Sequence, residues 1–272
     1  INVAIEGQLL AGAFLAATVG TLSGSPYVGM VAAPLAGALV GALLALFAVR
    51  YFVDHIIVGV VLNVLVTGVT NYLFSTVLTA NPATWNTPGR LPKLPIPLLS
   101  QIPVIGPVLF NQNAVVYAMY ILVVVLQIML FRSRWGLRLR ACGEHPKAAD
   151  TVGIKVNRTR VRNTILGGAI AGLGGAFFTV ANGLAFGKEM SAGKGFIALA
   201  AMILGRWNPK GAVAAALLFG FADALQAFLS PAGTPIPGNI LLMTPYLVTI
   251  LAVAGLVGRV VPPAAEGKPY QG

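Results

Sequence analysis

The stretch Val28-Gly-Met-Val-Ala-Ala-Pro-Leu-Ala-Gly-Ala-Leu-Val-Gly-Ala-Leu-Leu-Ala-Leu-Phe-Ala-Val49 holds no charged residue. As a helix it would be roughly 33 Å long, enough to cross the roughly 30 Å hydrocarbon core of a bilayer. It belongs to a longer charge-free run, 7–49, and four more such runs follow at 55–89, 94–131, 163–187 and 224–258. Over 272 residues, Lys and Arg number 18 and Asp and Glu 7, against roughly a quarter charged in a soluble domain. Mean hydropathy is +0.84. These figures exclude a water-soluble domain, collagen, a disulfide scaffold and a disordered chain. They indicate an all-α, polytopic transmembrane helical bundle forming a single domain over 1–272.

Apolar runs set against turn and breaker residues predict about eight spans: 3–20, 28–49, 55–78, 113–131, 163–184, 190–206, 210–229 and 240–258. The basic residues then separate. Arg50, the nine within 132–162, Arg206, Lys210, Arg259 and Lys268 fall on one side; Arg90, Lys93, Lys188 and Lys194 fall on the other. The richer side is expected to be cytoplasmic. Positive-inside bias also accounts for the net charge of +11, so no nucleic acid is expected as a partner. The single Cys142 excludes an internal disulfide. The chain begins with Ile1 rather than Met, and a missing N-terminal piece is expected.

Two spans are poorer than the rest. The 190–206 stretch opens with Lys194 among small residues, which fits a half-helix or re-entrant element; 3–20 opens with Glu6 and Gln8. Irregular backbone at membrane depth needs protein or a water-filled cavity beside it, so either stretch could border a pathway. Gly37 with Gly41, and Gly168 with Gly172, form GxxxG pairs suited to close helix packing. The outer loop, 79–112, holds seven prolines and Trp85. Proline at that density argues against helix and for an extended, structured cap, which could receive a partner or simply cover helix ends.

The cytoplasmic loop 132–162 contains a short helix signal: His145-Pro146 to start, Lys147 to Val152 as the turns and Gly153 to end it. Such a helix could dock a soluble partner or lie on lipid headgroups. Cys142, Glu144 and His145 lack the ligand spacing of a zinc site, so no metal is expected. Within the spans, Asn63, Thr67, Thr70 and Asn71 share one helical face, and Asp223 and Gln226 share another. Uncharged hydrogen-bonding groups suit a neutral polar solute; interhelical bonding is the alternative for both sets. No HExxH, GxSxG or Walker A motif is present, so the chain is expected not to be an enzyme.

Several stretches together resemble a known family: Asn2-Val-Ala-Ile-Glu-Gly-Gln-Leu-Leu10, Ile57-Val-Gly-Val-Val-Leu-Asn63, Gly136-Leu-Arg-Leu-Arg-Ala-Cys-Gly-Glu-His-Pro-Lys-Ala-Ala149 with Gly153-Ile154, Ala171-Gly-Leu-Gly-Gly-Ala176, Gly195-Phe-Ile-Ala-Leu-Ala200, Gly205-Arg-Trp-Asn-Pro-Lys-Gly211 and Phe219-Gly-Phe-Ala-Asp-Ala-Leu-Gln226. The chain is similar to permease subunits of bacterial ABC importers of the branched-chain amino acid and monosaccharide group, most closely the nucleoside and simple-sugar branch. The resemblance implies two related halves and a multi-pass protein of the plasma (inner) membrane. It implies a second permease subunit, homologous or identical, a cytoplasmic ABC ATPase subunit and an extracytoplasmic solute-binding protein. No cofactor would bind this chain; ATP would be used by the ATPase.

Carried onto this sequence, the family's coupling element falls on Arg140, Gly143, Glu144, His145, Pro146, Ala148, Ala149, Gly153 and Ile154. The family has at least one further span before the Glu6-Gly-Gln8 stretch, so this chain is expected to lack an N-terminal span. The expected cargo is a nucleoside moving past Asn63, Thr67, Thr70, Asn71, Asp223 and Gln226. A ribose-like sugar is the alternative cargo, and an ion-coupled secondary transporter the alternative mechanism.

Overall fold

A computed structural model describes residues 2–103, 105–229, 243, 247, 250 and 261–271. In chain order its helices are α1 (Ile5–Leu22), α2 (Pro26–Ala45), α3 (His55–Leu73), α4 (Pro82–Trp85), α5 (Ile105–Leu109), α6 (Ala114–Arg132), α7 (Arg134–Glu144), α8 (Pro146–Thr151), α9 (Val156–Gly175), α10 (Lys194–Leu204) and α11 (Pro209–Leu229). Wide π turns extend α2 through Leu46–Arg50, α3 through Phe74–Leu78 and α9 through Phe177–Ala181. Among the described residues six helices are long and apolar enough to cross a membrane, and they coincide with six of the eight expected spans. The 190–206 stretch is instead the 11-residue α10. The last expected span, 240–258, lies outside the described residues.

Helix α1 is the axis of the bundle: 56% of its span is buried, against 6% of α6. Small residues make this possible, since Gly7, Gly12, Ala13, Ala16, Ala17 and Gly20 are all buried in α1. The GxxxG pairs of α2 and α9 meet directly beside this axis. A Cβ at Gly172 would stand 2.5 Å from Ala33 O and 2.9 Å from Gly37 Cα, distances only glycine permits. Backbone contact there replaces the hydrophobic force that lipid does not supply.

Turns and caps fix the helix ends. Gly24, with φ of 65°, turns the chain between α1 and α2, and Pro26 opens α2 at its first turn. Asp54 accepts from the N–H groups of Ile56 at 2.8 Å and Ile57 at 3.1 Å. Those two donors hold its carboxyl below the usual carboxylate range. Asn113 caps α6 and Ser133 caps α7 by side-chain acceptance.

The two ends of the bundle differ. At one end a cavity of about 510 Å³ touches Val49, His55, Gly143, Met202, Trp207 and Lys268, which gathers the ends of α2, α7 and α10, the start of α3 and the tail segment 263–270 into one basic end. At the other end lies the proline-rich loop. It contains an antiparallel pair, β1 (Lys93–Pro95) and β2 (Asn111–Asn113), with Lys93 opposite Asn113. The expectation that proline bars helix there needs correction: α4 forms because Pro82 stands in its first turn, where no N–H is required. The loop is fastened down. Asn86 accepts from Phe186 N at 2.7 Å and donates to Phe186 O at 2.9 Å, and Leu91 N donates to Val180 O at 2.8 Å.

Candidate functional site

Helix α10 does not start at the bundle surface. Its beginning abuts Glu6: a Cβ on Gly195 would lie 2.5 Å from both Glu6 Cα and Glu6 N. The start of α1 in turn lies against Asn63, which is eight residues into α3, roughly 12 Å along that helix. Both helix starts therefore lie against neighbouring elements partway along the bundle, and the orphan N–H groups of their first turns need partners there.

Side chains from other elements supply them. Asn63 accepts from Gly7 N at 2.8 Å and donates to Val3 O at 2.9 Å. Glu6 accepts three hydrogen bonds at the start of α10: from Ser191 Oγ at 2.6 Å, Gly193 N at 2.8 Å and Gly195 N at 2.6 Å. An acidic group at a helix N-terminus also complements the macrodipole. The loop leading into α10 is bent through left-handed conformations at Glu189, Ala192 and Gly193, with φ of 51°, 47° and 77°. Conformations of that kind at non-glycine residues persist only where surrounding contacts enforce them.

A second cavity, of about 330 Å³, opens at this junction, lined by Glu6, Leu10, Thr67, Glu189, Ser191, Ala192 and Gly193. The polar stripe of α3 divides around it. Thr67 lines the cavity, and Asn71 Nδ2 donates to Glu189 Oε1 at 3.4 Å beside it. Asn63 holds the start of α1, and Thr70 is buried with its hydroxyl bonded to Val66 O at 2.7 Å. Asp223 pairs with Lys194 Nζ at 2.8 Å, both half-exposed, which ties α11 to the first residue of α10. Gln226 is half-buried three residues further along α11.

Sequence reasoning marked Glu6 as a possible border but not as a cap. Glu189, Ser191, Gly193 and Gly195 were missed as a set. The available signal was a lone acid in an otherwise apolar first span, paired with glycines flanking Lys194.

At the basic end, the helix expected after His145 runs Pro146–Thr151, and Gly153 closes it with φ of 82° and its N–H on Asp150 O at 2.8 Å. Ala149 is buried with Cys142 and Val156, with Ile154 packed against them. Glu144, His145, Lys147, Ala148 and Asp150 are exposed, leaving one face of α8 open while Ala149 anchors the other. Arg140 lies over the Phe131 ring at 5.2 Å. Burial pushes the Cys142 thiol up from its ordinary value. Among the described residues no three His, Cys, Asp or Glu side chains are grouped to hold a metal.

Residues 1–258 match the family described as branched-chain amino acid transport system, permease component. A guanosine ABC transporter permease protein of Bacillus subtilis is 37% identical over 99% of this chain and 87% of its own length. A nucleoside ABC transporter permease protein of Lactococcus lactis is likewise 37% identical, over 99% of this chain and 87% of its own. A putative glucose ABC transporter permease protein of Haloferax volcanii is 30% identical over 83% and 68%. No solved structure matches the chain.

Proposed function

The chain belongs to the permease-component family of branched-chain amino acid transport systems, and we propose that it is the membrane subunit of an ABC importer carrying a nucleoside into the cytoplasm. The observation that carries the cargo assignment is the 37% identity, over nearly the whole chain, to two permeases named for guanosine and for nucleosides. The chemistry of the junction supports it. A cavity bounded by Thr67, Glu6, Glu189 and Ser191 offers hydroxyl and carboxylate groups suited to the hydroxyls of a ribose.

In this mechanism the basic end faces the cytoplasm, in keeping with the positive-inside rule. An extracytoplasmic binding protein delivers solute at the proline-rich cap. The solute passes between this chain and a second permease subunit, beside Thr67, Asn71, Asp223 and Gln226, with Asn63 and Thr70 packed behind them. A separate ATPase docks at Arg140, Gly143, Glu144, His145, Pro146, Ala148, Ala149, Gly153 and Ile154, uses the ATP, and moves the bundle through α8. Two related halves are in keeping with a repeated pattern: a helix that starts inside the bundle, α1 or α10, is followed by a long helix opened by proline, at Pro26 in α2 or Pro209 in α11.

A ribose-like sugar is a second reading, favoured by the likeness to the putative glucose permease. Uptake of labelled uridine and labelled ribose, in cells with and without this chain, separates the two. Uridine uptake at least about tenfold above the deletion background, with ribose unchanged, is the expected result. The converse pattern assigns a sugar, and uptake of either solute driven by an ion gradient without ATP overturns the mechanism.

A further inference from the structure

The geometry points to residues 263–270 as a strut that positions α8 for coupling; this rests on the reading of α8 as the element the ATPase moves. A six-residue helix has no stability of its own, since isolated helices below roughly a dozen residues are marginal. Its orientation must come from what grips it. One grip is the packing of Ala149 with Cys142 and Val156. The tail supplies the other.

Ala265 N donates to Gly143 O at 2.9 Å, serving a carbonyl left without a partner at the end of α7. Ala264 N donates to Glu144 Oε2 at 3.3 Å. Tyr270 Oη donates to Asp150 Oδ2 on α8 at 3.0 Å, and its ring packs on the Cys142, Ala149 and Val156 cluster. Arg160 binds three elements together: from α9 its guanidinium donates to Lys268 O at 2.8 Å and to Cys142 O at 3.3 Å. Asn157 Nδ2 adds a bond to Tyr270 O at 3.3 Å.

The tail also reaches the transmembrane bundle directly. Gly267, with φ of 76°, turns the segment against the His55 ring at the start of α3, where a Cβ would stand 2.8 Å from His55 Cε1. One short segment thus spans from α3 to both sides of the α7–α8 corner. A push on α8 is passed to α3 and α9 instead of being lost in local bending. These are positioning residues: they need touch neither solute nor nucleotide.

The test measures solute moved per ATP hydrolysed by the complete transporter in proteoliposomes. Removing residues 263–272 should lower that ratio at least about fivefold while ATP hydrolysis continues. Tyr270→Phe, which deletes only the bond to Asp150, should lower it about twofold. Ala265→Pro, which removes the N–H bonded to Gly143, should lower it, whereas Ala265→Ser keeps that N–H and should restore the normal ratio.

Placement is read separately. With Cys142→Ala, cysteines introduced by Gly143→Cys and Pro263→Cys should cross-link on oxidation, because the two Cβ positions stand 3.7 Å apart, inside the disulfide range of about 3.5–4.5 Å. A normal ratio in the Tyr270→Phe and Ala265→Pro chains, or no cross-link, overturns the strut. If deletion of residues 146–151 abolishes transport while tail removal does not, the strut alone fails. If neither alters transport, the coupling reading fails with it.

Discussion

Glu6→Ala is expected to reduce solute uptake to below about a twentieth of the wild-type rate, with the chain still inserted in the membrane. The substitution strips three donors at once, Ser191 Oγ, Gly193 N and Gly195 N. Each hydrogen bond to a charged acceptor contributes about 1.5–3 kcal/mol, and a buried donor left unpaired carries a further penalty. The same change removes the restraint on Glu189 and Ala192, whose left-handed backbone would relax. Helix α10 would lose its register at the cavity, while the glycine crossing of α2 with α9 stays intact.

Glu6→Gln should fall between. Its oxygen can still serve Ser191 and Gly193, but its amide would face Gly195 N–H donor to donor. Uptake rates in the order wild type, Gln, Ala, with similar amounts of protein in the membrane, support the cap. Wild-type uptake by Glu6→Ala would contradict it.

Ala149→Asp is expected to uncouple the transporter, with uptake falling to below about a tenth while the partner continues to hydrolyse ATP. Ala149 is 3% exposed and packed with Cys142 and Val156. A carboxylate there would be driven among apolar side chains beside Arg160, whose guanidinium is already bonded to the carbonyls of Cys142 and Lys268, and burial of a charge without a free partner is strongly unfavourable. Relief comes most easily by lifting α8 off α9, since this cluster is separate from the one around α1. Ala148→Ser, on the exposed face of α8, provides the contrast and should leave protein levels unchanged. ATP hydrolysis and uptake measured on one preparation decide the matter, and an unchanged ratio in Ala149→Asp would remove α8 from the transmission path.

Much of the architecture was legible because charge-free runs and helix punctuation are local signals. Pro146 and Gly153 bracket α8, and the GxxxG pairs fall where α2 and α9 touch. The stripe from Asn63 to Asn71 was placed on one face by its spacing, yet that face meets two neighbours. Asn63 reaches α1, while Thr67 and Asn71 meet the loop before α10. Periodicity along one helix says nothing about which element lies opposite.

The junction itself was not legible for the same reason. Glu6 and Gly195 are separated by most of the chain, and only the fold brings them together. The tail's grip on the α7–α8 corner was equally hidden, because apart from the Tyr270 side chain its bonds use backbone N–H and C=O groups that no residue type announces. In the outer loop, proline counting pointed away from helix; position within the turn, at Pro82, decided otherwise.

The account depends on energy entering from the basic end. Lys147, exposed on α8, replaced by cysteine in a Cys142→Ala chain, offers a single thiol to a membrane-impermeant maleimide in membranes lacking the ATPase subunit. Labelling of inverted vesicles, with none in intact cells, is the predicted result. Labelling in intact cells would put α8 on the outer face and contradict the docking site, the direction of transport and the role of the ATPase together.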